Sequence, residues 1–286
     1  MRKILIIIIV SIFNYSNVLA NCRLADDASR TVGAGGSITE IVYFLNSEDK
    51  LVARDLTSNF PPIAKDLPSI GYVRNLSAEG LLSLSPTLVI GESDIGPPNV
   101  VKQVQNTSLD FRIIPDIYSA KGIIEKVLCL ANILGIDENE VNIKENELNK
   151  KFEIISNLSN SKNLRKKKLM IILMMRGTSP IVAGSETSGD GFIKMTGNLN
   201  SFSNFAGWKP VGIESIVENN PDYIIITKRA FTPFENEKKF LKQTGLIATN
   251  AGKNQNIIVE DGMSFLGFGP RTLDTAIKIG NFLTDN

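Results

Sequence analysis

Short runs of apolar, often β-branched residues alternate along this chain with stretches whose apolar positions recur at helical spacing. The strand candidates are Thr31-Val32-Gly33, Leu51-Val52-Ala53-Arg54, Thr87-Leu88-Val89-Ile90, Phe111-Arg112-Ile113-Ile114, Lys168 to Met175, Asp222 to Thr227 and Asn256 to Glu260. Several are continuous apolar runs, the pattern of strands covered on both faces by helices. Strands alternating with helices predict a parallel α/β architecture. One segment breaks the rhythm. From Glu138 to Leu158 there is no Gly or Pro, and Val141, Leu148, Phe152 and Ile155 fall on one stripe at spacings of 7, 4 and 3. At ~1.5 Å per residue that helix is about 30 Å long. The basic run Arg165-Lys166-Lys167-Lys168 that follows reads as a solvated lead-in to a strand.

The halves on either side of that helix resemble each other. In Glu79-Gly80-Leu81-Leu82-Ser83-Leu84-Ser85-Pro86 the proline follows the glutamate by seven residues, and an apolar strand comes next. Glu214-Ser215-Ile216-Val217-Glu218-Asn219-Asn220-Pro221 has the same spacing and the same sequel. The openings match loosely, Gly36-Ser37-Ile38-Thr39 against Gly184-Ser185-Glu186-Thr187. Ser37 and Glu40 make a capping-box pattern. The expectation is two duplicated, Rossmann-like α/β lobes joined by a single long helix: residues 21–137, a linker helix over 138–160, and residues 161–286.

The N-terminus reads as a secretory signal over residues 1–20. Arg2 and Lys3 precede the apolar stretch Ile4 to Phe13, and Val18-Leu19-Ala20 suits cleavage after Ala20. The stretch is shorter than the about 20 apolar residues a bilayer span takes. A second reading makes Leu19-Ala20-Asn21-Cys22 a lipobox, with Cys22 acylated as a lipid anchor. Cys129, inside the apolar run Leu128-Cys129-Leu130-Ala131, reads as a buried free thiol. A Cys22–Cys129 bridge is the alternative in an oxidising compartment.

Composition then removes whole classes of function. The 286 residues contain no histidine, which excludes Ser-His-Asp and Cys-His catalysis, histidine-ligated zinc and histidine-ligated haem. Lys plus Arg total 31 against 30 Asp plus Glu, so net charge gives no reason to expect nucleic acid as a partner. Gly33-Ala34-Gly35-Gly36-Ser37 after a strand, with Asp55 downstream, is reminiscent of a dinucleotide fingerprint. Ile38 stands where the third glycine belongs, so the pattern fails, and the chain reads as no enzyme.

Five segments carry a resemblance to a known family. They are Gly33 to Glu40, Arg54-Asp55-Leu56-Thr57-Ser58-Asn59-Phe60-Pro61-Pro62, Gly71-Tyr72-Val73-Arg74-Asn75-Leu76-Ser77-Ala78-Glu79-Gly80, Pro180-Ile181-Val182-Ala183-Gly184 and Gly267-Phe268-Gly269-Pro270-Arg271. With the two-lobe pattern they resemble the periplasmic substrate-binding proteins of importers for metal chelates, cobalamin and haem. Within that group the chain is most similar to the haem-binding proteins of bacterial ABC haem importers. The resemblance implies a periplasmic carrier with a ligand cleft between lobes, which takes haem and delivers it to an inner-membrane ABC permease. Ferric-siderophore or cobalamin carriage is the alternative within the group, and an adhesin or scaffold built on the same fold is a more distant one.

The resemblance also implies site residues. It places an iron-ligating tyrosine where this chain has Phe60, whose ring has no lone pair for iron but suits stacking on a porphyrin. Tyr72 is the nearest phenol. Arg74, two residues on, suits a haem propionate, as does Arg271 after Gly269-Pro270. Met175 and Arg176 end the first strand of the second lobe, where ligands of open α/β sheets bind. Either Tyr72 or the Met175 sulfur is then the iron-ligand candidate. Glu79 and Glu214, one in each half, are implied to meet arginines of the permease.

Overall fold

The structure is a computed structural model that describes residues 22–160 and 166–285. The leader expected over 1–20 and Arg165 of the basic run lie outside the described residues. Two compact units emerge, one comprising the chain up to Ile117 plus Gly122–Glu147, the other Tyr118–Lys121 plus Leu148 onward. No described helix is long and apolar enough to cross a membrane.

The first unit is built on a four-stranded parallel sheet. Its strands are β1 (Thr31–Ala34), β2 (Leu51–Arg54), β3 (Leu88–Glu92) and β4 (Asp110–Ile114), in the order β2-β1-β3-β4. The chain winds outward from β1 to β2, then crosses back to lay β3 on the other side of β1. Such a reversal opens a crevice at the carboxyl ends of the two central strands. β1 is buried along its whole length, as its apolar run requires. Val32, Ala34, Ala53, Val73, Leu76, Leu81, Val89 and Ile95 form one core cluster, which joins the sheet to the turns at its carboxyl edge. The capping box expected of Ser37 and Glu40 does not form. The N-cap of helix Gly36–Phe44 is Gly35, and the Ser37 hydroxyl turns away to donate to Glu92.

The two cysteines form a disulfide, which corrects the reading of Cys129 as a free thiol. The first described residues lie along helix Ala120–Leu134: Asn132 Nδ2 donates to the Cys22 carbonyl at 2.6 Å, and Ala25 N to the Ile133 carbonyl at 3.0 Å. These bonds carry Cys22 to Cys129 across 107 residues of sequence. In this structure the Cys22 sulfur is committed to the disulfide and is not available for the thioether of the lipid-anchor reading.

Helix Glu138–Asn160 forms as one uninterrupted element, with Leu148 and Ile155 of the predicted stripe buried. Its residues up to Glu147 group with the first unit and those from Leu148 with the second.

The second unit holds a six-stranded sheet of β5 (Lys168–Arg176), β6 (Ser179–Ala183), β7 (Leu199–Asn200), β8 (Trp208–Pro210), β9 (Tyr223–Thr227) and β10 (Ile257–Glu260). β10, β9 and β5 are parallel, as the sequence predicts. β6 runs antiparallel to both β5 and β8, so the sheet is mixed. Only Gly177 and Thr178 separate β5 from β6, too few residues for a helical crossover, and the chain has to fold back as a hairpin. Gly177 takes the left-handed backbone (φ 62) of that turn.

The internal repeat extends to the backbone. Helix Ala78–Leu82 ends before Ser85 (φ 47), and helix Ile213–Asn219 before Asn220 (φ 44). Each left-handed residue precedes a proline, and each proline is followed two residues later by a strand interior to its sheet, β3 or β9.

Candidate functional site

At the carboxyl end of β2 the chain makes a long excursion over residues 55–71 and returns. Three backbone hydrogen bonds close its neck: Arg54 N to the Pro68 carbonyl, Ile70 N to the Arg54 carbonyl and Leu56 N to the Gly71 carbonyl, each 2.9 Å. Asp55 anchors the near side. Its buried carboxylate accepts from Gly35 N at 3.1 Å, Ser58 Oγ at 2.7 Å, and the Thr57 amide and hydroxyl at 2.7 Å each. This explains the apparent dinucleotide pattern: Asp55 and the Gly35 amide are already bonded to each other. On the excursion itself Leu56, Phe60 and Ile63 are 53%, 37% and 63% exposed. The neck bond from Leu56 to Gly71 brings the Leu56 backbone beside the residue that precedes Tyr72.

Tyr72 and Arg74 flank Val73, which is 3% exposed and part of the core. Burial of the central residue turns its two neighbours outward together. The Arg74 guanidinium does not project freely. Its Nη1 donates to the Tyr72 phenol oxygen at 2.8 Å, and its Nε to Asp94 Oδ2 at 2.8 Å. Tyr72 is 42% exposed. An aromatic oxygen at the surface is therefore held in place by an arginine, which is held in turn by a carboxylate.

Beneath this surface is a polar cluster that sequence reading missed. Lys126, on helix Ala120–Leu134, is buried. It lies 2.9 Å from Asp116 and 3.5 Å from Glu92, and its Nζ donates to Ser37 Oγ at 3.1 Å. Burial, with Asp116 and Asp94 adding to it, pushes the Glu92 carboxyl up to about 7 against the opposing effect of Lys126 and Ser37. Burial pulls the Lys126 ammonium down, but Glu92 and Asp116 outweigh it and leave its pKa raised. Glu92 closes the last residue of β3 against the start of helix Gly36–Phe44. A Cβ on Gly35, whose φ is 142, would meet Glu92 Oε2 at 2.4 Å, so only glycine fits there. The only advance signal of the cluster was a glycine-rich turn after β1.

In the second unit the end of β5 sorts its side chains by strand alternation. Met175 is partly buried and packs against the core cluster of that unit, whereas Met174 is 40% exposed and Arg176 is exposed. Arg271 occupies the first turn of helix Pro270–Asp285, with its Nη1 3.9 Å from Asp261 Oδ1. Asp261 itself caps helix Gly262–Leu266 by accepting from the amides of Met263 and Ser264, both at 3.1 Å. Phe268, buried and left-handed (φ 53), packs against Tyr118 in the loop before Pro270, with ring centroids 5.1 Å apart and the planes inclined at 59°.

Glu79 and Glu214 are each the second residue of a short helix, and both are exposed. Ser77 caps the first helix through the Gly80 amide at 2.9 Å; Gly212 precedes the second and brings no side chain.

Known proteins share this architecture. A periplasmic heme-binding protein from Roseiflexus sp. RS-1, in apo form, superposes with a TM-score of 0.81 at 30% identity, over 90% of this chain and 98% of that one. The periplasmic heme-binding protein of Vibrio cholerae gives 0.78 at 31% identity, over 90% and 99%. Among curated sequences, an ABC transporter substrate-binding lipoprotein of Bacillus subtilis (strain 168) is 23% identical across 83% of this chain and 74% of its own length. A vitamin B12-binding protein of Pectobacterium carotovorum subsp. carotovorum (strain PC1) is 22% identical across 69% and 70%. The sequence profile of the periplasmic binding proteins matches residues 32–262, from the first strand of one unit to beyond the last strand of the other, and it is to this family that the chain belongs.

Proposed function

We propose that this chain is the periplasmic substrate-binding protein of an ABC haem importer, which captures ferric haem and delivers it to an inner-membrane permease. The observation that carries the reading is the exposed Tyr72 phenol with Arg74 donating to its oxygen. A phenol oxygen has two lone pairs. One accepts from Arg74, and the other remains for a metal. Tyrosine is an established type of axial haem ligand, and a guanidinium already aimed at the oxygen favours the charge it carries once iron replaces its proton. Leu56, Phe60 and Ile63 add apolar surface of the kind a porphyrin face covers, and Phe60 serves there as a stacking ring.

Tyr72 is the better ligand candidate than Met175, because Met175 packs against its unit's core while Tyr72 lies open. On the second unit, taken by itself, Met175, Arg176 and Arg271 are the residues proposed to contact the ligand. Arg74 is given a part different from the propionate clamp implied by the family resemblance, since Nε, Nη1 and Nη2 each already serve Tyr72 or Asp94. The role is capture and delivery, with no covalent step. The leader expected over 1–20 supports export to the periplasm, and the exposed acids Glu79 and Glu214 are the residues proposed to meet the permease.

Cobalamin is the second reading, favoured by curated relatives that bind vitamin B12. It leaves the Tyr72–Arg74 pair without a metal to meet, because a corrin arrives with its cobalt already ligated. Titration of the mature protein with hemin, cyanocobalamin and a ferric siderophore separates these options. Absorbance and quenching of the single tryptophan, Trp208, serve as readouts. Saturable hemin binding with a shifted Soret band, and no saturation by the other two, is expected. Saturation by cyanocobalamin without hemin binding would replace the haem reading with the corrin one.

A further inference from the structure

Asp94 lies 20 residues from Arg74 in sequence, yet the fold leaves the two little freedom to separate. β3 ends at Glu92, and the chain turns at once: Ile95 N donates to the Glu92 carbonyl at 3.1 Å. The next residues are clipped to the Tyr72–Leu76 turn by two backbone hydrogen bonds, Gly96 N to the Val73 carbonyl at 3.0 Å and Leu76 N to the Gly96 carbonyl at 2.9 Å. Val73 and Ile95 are buried in the same core cluster. Tyr72 and Arg74 flank one of these anchors, and Asp94 immediately precedes the other. From that fixed position Asp94 engages Nε and Nη2 of Arg74, while Nη1 reaches Tyr72. One planar group thus bridges a carboxylate and a phenol.

We propose that Asp94 is a positioning residue for haem capture: it holds the Arg74 guanidinium against the Tyr72 oxygen and, by balancing the guanidinium charge, sets how strongly that oxygen donates to iron. The inference rests on the haem reading. Its chemistry has two separable parts. The carboxylate orients the fork, which an uncharged acceptor of the same shape can also do. The negative charge restrains the pull of Arg74 on the oxygen's electrons, which an uncharged acceptor cannot do. With the charge removed and the shape kept, the phenolate becomes a weaker donor.

The test compares hemin complexes of the wild type, Asp94→Asn, Arg74→Gln and the double variant, after thermal unfolding has established that each is folded. Asp94→Asn is expected to bind hemin, to move the tyrosinate-to-iron charge-transfer band to shorter wavelength and to release hemin several-fold faster. In the Arg74→Gln background the same substitution is expected to leave the band where Arg74→Gln alone puts it, since the path through the guanidinium is gone. A band and release rate in Asp94→Asn that match wild type would overturn the proposal. So would an equal band shift with and without Arg74, because Asp94 would then act by another route. Folded wild type with no Soret shift on adding hemin is a different failure, that of the haem reading itself, and it removes this inference with it.

Discussion

Tyr72 and Arg74 were legible as a pair because a two-residue spacing would turn both side chains the same way if the chain were extended. The structure places them instead in a turn closed by Asn75 N donating to the Tyr72 carbonyl at 2.8 Å, and it is the buried Val73 between them that leaves both side chains outside. Asp94, Glu92 and Lys126 were not legible. No local pattern marks a carboxylate whose partner is supplied by another strand turn or helix, and their roles exist only once β3 is laid beside β1. Glu92 gives the clearest residue-scale prediction. In the folded protein its carboxyl holds a proton up to about pH 7, against an ordinary value of about 4.5. Between those values the folded state binds a proton that the unfolded chain has released, so the contribution of Glu92 to stability falls as pH rises through that window. Urea unfolding of wild type and Glu92→Gln from pH 4 to pH 8 is therefore expected to show a difference that declines for wild type between about 4.5 and about 7, then stays level. Parallel curves across the range would contradict the assignment.

At the scale of elements, apolar runs located the parallel strands well, because a strand covered on both faces has to be apolar throughout. They could not foresee β6 as an antiparallel partner of β5. Direction is decided by the two-residue link at Gly177 and Thr178, and its effect depends on where β5 ends. The long helix was legible for the opposite reason: over twenty residues without Gly or Pro leave little else to form. The disulfide was legible only as an alternative, since apolar surroundings suit a buried thiol and a buried bridge alike. By closing a long loop in the unfolded chain, such a bond stabilises the folded protein by about 2–5 kcal/mol. Cys22→Ser with Cys129→Ser is expected to lower the urea midpoint accordingly while leaving the far-ultraviolet dichroism of the folded state unchanged. An unchanged midpoint would show that the link carries no stability.

For the whole molecule, the repeat of Glu, left-handed residue, Pro and strand in each unit is the feature the sequence displays most directly. It survives because each step has a local cause: an acid in a first helical turn, a chain reversal, and a proline that cannot continue a helix. The repeat leaves one exposed acid on each unit, and Glu79→Ala with Glu214→Ala tests their proposed meeting with the permease. Hemin affinity is expected to stay within about twofold of wild type, while stimulation of permease ATP hydrolysis in reconstituted membranes is lost, because exposed acids steer and orient a partner without touching a bound ligand. Normal stimulation by the double variant would end that role for both residues.

The proposed function depends on whether this protein holds ferric haem through the Tyr72 oxygen. The visible spectrum of the hemin complex, recorded for wild type and Tyr72→Phe at equal loading, tests that directly. The variant keeps the ring and loses only the hydroxyl, so the fold and the apolar contacts should persist. The account predicts a tyrosinate-to-iron charge-transfer band in wild type, its loss in Tyr72→Phe, and hemin binding at least 10-fold weaker, about 1.4 kcal/mol or more. A wild-type spectrum without that band, or a Tyr72→Phe complex that retains both band and affinity, would contradict it.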